Sequence, residues 1–129
     1  MSKRLPSMVQ GIKEDIEKMQ PFEIEPPDKY KTGKAKRYYE KQCFKKAYDY
    51  MINLDPDGGI LVQGLYTKWS IPHSWVELPG DIVFDGVLQR FYNKQDYYRE
   101  QKAVKVVEFT LKQACQEARR TRNIGKWFD

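Results

Sequence analysis

Histidine occurs once in the 129 residues and cysteine only twice, and these scarcities narrow the chemistry the chain can perform. Cys43 and Cys115 lie far apart and form no Cys-x-x-Cys pattern, so neither a disulfide framework nor a structural zinc site is expected. With one histidine and no grouped acidic ligands, a metal centre is not expected either, and no cofactor is implied. There is no Gly-rich phosphate loop. No apolar run approaches the roughly 18 residues that a membrane span needs, and the first residues lack the apolar stretch of a secretory signal. A cytoplasmic chain without membrane association is the expectation. Charge of one sign is also lacking: 23 basic against 18 acidic residues give +5, which permits an anionic partner without requiring one.

What is present suffices for one core. Hydrophobic residues make up 40% and aromatics 14%, with nine Tyr and three Trp, and a chain of this length buries a single core. Val9, Ile12, Ile16 and Met19 recur at helical spacing and then run into Pro21, Pro26 and Pro27. Residues 1–32 therefore read as an N-terminal helix and an extended arm, with Phe22 and Ile24 able to lie on the body. Residues 33–129 read as one α+β domain.

Within that domain, Tyr38, Phe44, Ala47, Tyr48 and Met51 mark one side of a helix that starts after Gly33 and ends near Leu54, before Pro56 and Asp57-Gly58-Gly59. Three β-rich runs follow: Ile60 to Tyr66, Trp69 to Leu78, and Ile82 to Val87, the last two separated by Pro79-Gly80. They predict an antiparallel sheet. From about Lys102 to Arg120, Val104, Val107, Leu111, Ala114 or Cys115, and Ala118 fall at helical spacing, predicting a long helix packed on the sheet. Arg119, Arg120 and Arg122 close it where cations suit the helix dipole.

The single histidine, His73, stands in Ile71-Pro72-His73-Ser74-Trp75-Val76-Glu77, and Asp85 follows twelve residues later in Ile82-Val83-Phe84-Asp85-Gly86. A hairpin looping through Leu78, Pro79 and Gly80 pairs Glu77 with Asp81 and sets His73 opposite Asp85. Opposite residues share a face, so the carboxylate can orient the imidazole. A slip of one residue would separate them. Glu77 shares the face of His73 and is the backup acid. A base held by an acid needs a nucleophile, and a thiol beside an imidazole is readily activated. Cys115 lies on the apolar stripe of the last helix, as a small buried residue would. Cys43 lies among Lys41, Lys45 and Lys46, a setting that favours thiolate, and is the preferred candidate.

A Cys followed by an aromatic and then Ala, a strand with Gln-Gly, then His-Ser-Trp-Val-Glu and Phe-Asp-Gly, resembles the transglutaminase-like and papain-like thiol hydrolases, on the small scale of bacterial or phage members. The resemblance covers roughly Cys43 to Tyr92. It implies a Cys-bearing helix packed on an antiparallel sheet, with Cys43 as nucleophile, His73 as general base and acid, and Asp85 as the orienting group. It also implies acyl transfer from an amide or ester, a peptide bond or a glutamine side chain, with a peptide or protein as substrate. The family places its Cys at the start of the helix, whereas the helical pattern here begins near Lys34. Either the helix breaks near Glu40 to Gln42, or the oxyanion donors come from elsewhere, with Gln42 and Gln63 as the available side-chain amides. Trp75 and Trp69 are candidate cleft residues, Trp69 more naturally core.

A reading from a different class remains: a noncatalytic binding or inhibitor protein on the same scaffold. Lys29, Lys31, Lys34, Lys36 and Arg37, interleaved with Tyr30, Tyr38 and Tyr39, have the composition of a nucleic-acid surface, which the C-terminal arginines could extend. Acidic residues punctuate the flanks and no nucleic-acid motif occurs, so a solvated face is favoured over a nucleic-acid partner.

Overall fold

The computed structural model describes residues 23–34, 37–67 and 69–129. The helix expected over Val9 to Met19 lies outside them, as do Phe22 and Lys36. The described chain is α+β: five antiparallel strands in the order β4-β3-β2-β1-β5, with helices on both faces. The strands are β1 (Ile60–Tyr66), β2 (Ile71–Leu78), β3 (Ile82–Asp85), β4 (Arg90–Asn93) and β5 (Ala103–Phe109); the helices are α1 (Cys43–Leu54), α2 (Lys94–Gln101) and α3 (Leu111–Thr121).

Alternation along the strands supplies two cores. Leu61, Val76, Leu78, Ile82, Phe84 and Phe91 face α1 and α3, meeting Ala47, Tyr50, Met51 and Ala114. Val62, Tyr66, Trp75, Val83 and Tyr92 face the other way, against Tyr97 of α2. Burial on both faces explains why residues 73–78 and 82–89 are buried without a break. Tyr50 stacks on Phe84 with centroids 4.0 Å apart, adding a ring contact to the area removed from water. The described part of the arm belongs to this body: Glu23 bridges Tyr92, the Ile24 amide donates to the Phe91 carbonyl, and Tyr30 is buried with its carbonyl accepting from the Tyr50 hydroxyl.

Three expectations need correction. The helix expected from Gly33 starts only at Cys43, because Lys41 takes a left-handed backbone (φ 61°) and the Tyr39 amide bonds to the Val87 carbonyl. No Gly or Pro between Lys34 and Cys43 announces that break. The long helix from Lys102 is instead strand β5 followed by α3. Thr110 and Gln113 form a reciprocal capping box at the start of α3, while Val104, Val106 and Val107 suit a strand. Spacing alone misleads there, because β5 is an edge strand with a bulge opposite Gln63 and Gly64, and Val104 and Val106 are exposed. Finally, the β2–β3 pairs are Val76↔Phe84, Glu77↔Val83 and Leu78↔Ile82. The register is shifted by two residues from the expected one, with the loop at Pro79, Gly80 and Asp81. A shift of two preserves the face of every side chain, so His73 and Asp85 remain on one side. Two elements, β4 and the short polar α2, lie where the sequence pattern marks none; α2 is started by the Asn93 side chain accepting from the Asp96 amide.

Gly64 is required where β1 meets the bulge of β5: a Cβ there would stand 1.9 Å from the Val104 carbonyl oxygen. Gly64→Ala must push the two strands apart. It is expected to cost about 3 kcal/mol, at the upper end of overpacking penalties, measured by urea unfolding.

Candidate active site

Three segments converge at the end of the sheet where β2 begins and β3 ends. His73 enters from β2 and Asp85 from the last residue of β3. The next residue, Gly86, lets α1 approach, since a Cβ on it would meet the Lys46 Cβ at 2.6 Å and the Lys46 backbone at 3.0 Å. That approach seats the first turn of α1, which Cys43 opens, beside the histidine. Any side chain at position 86 would force the Cys43-bearing helix outward.

His73 Nε2 lies 3.0 Å from Asp85 Oδ2, with both side chains nearly inaccessible. The bond to Asp85 fixes Nε2 as the protonated nitrogen and leaves Nδ1 for another partner. Cys43, which opens α1, lies close enough to the ring to raise the imidazole alongside Asp85. The structure thus brings together the three residues expected from the sequence, Cys43, His73 and Asp85. Tyr66 lies against the imidazole with centroids 4.2 Å apart, and Trp75 is near-parallel to it at 6.1 Å.

Asp85 is held more elaborately than any pairing of strands would suggest. Its Oδ2 accepts from the Tyr97 hydroxyl at 2.7 Å and lies 3.2 Å from the Tyr66 hydroxyl, while Oδ1 accepts from the Val87 amide at 2.9 Å. Each phenol has one proton. Tyr97 gives its proton to the carboxylate, and Tyr66 shares its own between Asp85 and the Tyr97 oxygen 2.7 Å away. Burial opposes a charge on Asp85, yet His73, Tyr97 and the Val87 amide outweigh it and hold the carboxyl below its ordinary range. Burial also pulls His73 down, but Asp85 and Cys43 overcome it and lift the imidazole to about 10. Desolvation, then the Asp85 charge, pushes both tyrosines well above the ordinary phenol value, so they act as neutral donors. Val87 and Tyr97 carry no sequence signal for this role. Tyr66 was reachable in principle, as its strand parity places it on the His73 face.

The remaining candidates separate clearly. Gln42 is the exposed N-cap of α1 and its side chain makes no capping bond. The first carbonyl accepted within the helix is that of Gln42, from the Lys46 amide at 2.8 Å. The amides of Cys43, Phe44 and Lys45 therefore have no acceptor within the helix, which removes the conflict raised by an early helix start. Gln63 is buried and engaged at both ends, donating to the Gly125 carbonyl at 2.9 Å and accepting from the Trp127 amide at 2.7 Å; it fastens the C-terminal tail and is not placed to serve as an oxyanion donor. Trp75 is fully buried, donates to the Tyr98 hydroxyl at 3.2 Å and forms an inner wall, not a cleft lining. Trp69 is half-buried against the second core. Glu77, the backup acid, is occupied by the Tyr98 hydroxyl, Lys105 at 3.2 Å and Lys94 at 3.6 Å. Cys115 is half-buried on α3, 4.0 Å from the Tyr48 hydroxyl. Of the basic arm, Lys31 is paired with Glu25 and Asp28, and Tyr30 is buried beyond the reach of a stacking base. Among the described residues, no three His, Cys, Asp or Glu side chains gather as metal ligands, and no helix is long and apolar enough to cross a membrane.

Two outcomes are expected. His73 has a raised folded value, so its contribution to stability is complete below the ordinary imidazole value of 6.5 and is lost as pH rises through about 10. Asp85 has a lowered one, so its contribution is present above the ordinary 3.8 and is lost as pH falls below it. Urea unfolding should therefore show stability declining from pH 6.5 to pH 10, with a shallower slope in Asp85→Asn. Tyr97→Phe deletes a bond to a charged acceptor and should cost about 1.5–3 kcal/mol at pH 7 in the same assay.

Comparison with protein-family models, with curated proteins and with solved structures yields no match to this chain.

Proposed function

We propose that this protein is a thiol-dependent hydrolase or acyltransferase acting on an amide or ester, a peptide bond or a glutamine side chain, through Cys43, His73 and Asp85. The observation that carries the reading is the buried His73–Asp85 bond at 3.0 Å, with Cys43 at the start of α1 near enough to act on the same ring. A histidine and a carboxylate buried solely for stability are a costly choice, because replacing such a pair by apolar groups is commonly neutral or favourable. Their meeting with one of two thiols in the chain is what such chemistry requires.

In the cycle, the Cys43 thiolate forms a bond to the substrate carbonyl carbon, whose oxygen takes the electron pair and turns toward the amides of the first turn of α1. As the tetrahedral centre collapses, the bond to the leaving nitrogen or oxygen breaks and His73 Nδ1 delivers its proton to that atom. A thioester remains. Water, or an amine in the transfer case, then gives a proton to Nδ1 while attacking the thioester, and the thiolate leaves. Asp85 keeps Nε2 protonated throughout, so the ring exchanges protons with the reactants only at Nδ1. The fold class and the resemblance of the Cys43 to Tyr92 stretch to papain-like and transglutaminase-like enzymes support this reading.

Thiol chemistry tests it. At pH 7, iodoacetamide should alkylate Cys43 at least about tenfold faster than Cys115 by peptide mass spectrometry, and His73→Ala should remove that advantage. Equal, slow labelling of both cysteines would instead favour a noncatalytic protein on this scaffold.

A further inference from the structure

We propose that a cavity on the flank of α1 is the subsite for an acidic side chain of the acyl donor, so that the preferred substrate is a peptide with Glu or Asp two residues from the attacked carbonyl. The proposal rests on the thiol-enzyme reading of Cys43 and adds the substrate class to it. The cavity has a volume of about 130 Å³ and lies between Lys46 and Asn53 of α1, Thr32 and Lys34 of the arm, and Gln89. By the liquid-water share of volume it holds roughly four waters, the scale of one medium side chain.

Its position ties it to the nucleophile. Lys46 is three residues after Cys43, about 4.5 Å along the helix axis, and its Cβ sits on Gly86, the neighbour of Asp85. The opposite wall is anchored to the same place, because the Gln89 side chain donates to the Gly86 carbonyl at 2.9 Å and accepts from Thr32 at 3.4 Å. The near wall of the cavity, at Lys46, is thus one helical turn from Cys43, a span that one or two residues of extended peptide cover at about 3.3–3.6 Å each, and the substrate side chain reaches on from there along α1 toward Asn53.

Its charge selects the occupant. Lys34 and Lys46 both line it. The acid on the wall, Asp49, is paired with Lys45 at 2.9 Å. The Lys46 ammonium lies 4.1 Å from the centroid of the Tyr39 ring, and among the described residues no carboxylate pairs with it, so it can take one with little reorganisation. No acidic residue occupies the first turn of α1, where helix polarity would favour one. Lysine at this turn works against the helix and for an anion. Asn53 adds an amide donor.

The test uses acetyl-Xaa-Gly-chloromethyl ketones with Xaa as Glu, Gln, Leu or Lys. The Cys43 sulfur displaces chloride from the methylene carbon, and the second-order rate is read by mass spectrometry alongside iodoacetamide. The Glu probe should react about tenfold faster than the isosteric Gln probe and faster still than the Lys probe. Lys46→Glu should reverse the Glu and Lys order, and Lys34→Glu should narrow it, which keeps the test valid if either variant folds poorly. Equal Glu and Gln rates, with iodoacetamide still selecting Cys43, would overturn the subsite alone. Failure of every reagent to select Cys43 would overturn the subsite together with the enzyme reading.

Discussion

A carboxylate with 1% of its surface exposed must be surrounded by donors, and the demands of Asp85 organise the molecule around it. An isolated buried charge would cost several kcal/mol, and only partners with good geometry offset that. The donors come from β1 through Tyr66, β2 through His73, α2 through Tyr97, and the Val87 amide beyond β3. Elements distant in the chain are held in one register because a single oxygen atom, Oδ2, has to be satisfied by three of them. The same bonds fix the imidazole, so the interaction that unites the second core also prepares its proton chemistry.

Opposite this network stands an approach of backbone to backbone. Gly86 follows Asp85 directly, and its missing side chain is the space into which the first turn of α1 descends. The carboxylate and the helix bearing the thiol are therefore located by adjacent residues, one through hydrogen bonds and the other through close packing. Lys41 completes the arrangement with a left-handed backbone that turns the chain into the helix at Cys43. A helix that began near Lys34 would have satisfied the amides that the start at Cys43 leaves without a helical acceptor.

The legible and illegible parts of this design differ in their physics. Strand β1 was read with its observed limits because its apolar run is bounded by turn residues on one side. The pairing of His73 with Asp85 survived a two-residue error in register because strand parity, not exact pairing, decides the face. The start of α1 was misread because a left-handed lysine leaves no mark in composition. Strand β5 was misread because Val104, Val107 and Leu111 happen to match a helical period across the Thr110 cap, and an exposed edge strand shows little alternation to contradict it. Tyr97 could not be found at all, since its role depends on a short polar helix folding back over the sheet, a tertiary fact with no local pattern.

The two margins of the sheet are unlike. At β4 the chain closes its own border, with Glu23 and Ile24 pairing to Tyr92 and Phe91. At β5 the outer border carries Val104 and Val106 in solvent, with Lys105 and Glu108 set among them as an ion pair at 2.6 Å. Unpaired, apolar strand borders are templates on which other chains stack into fibrils. Among the described residues only the β5 border is open to such growth, and the charges spaced along it oppose the stacking of a second strand there.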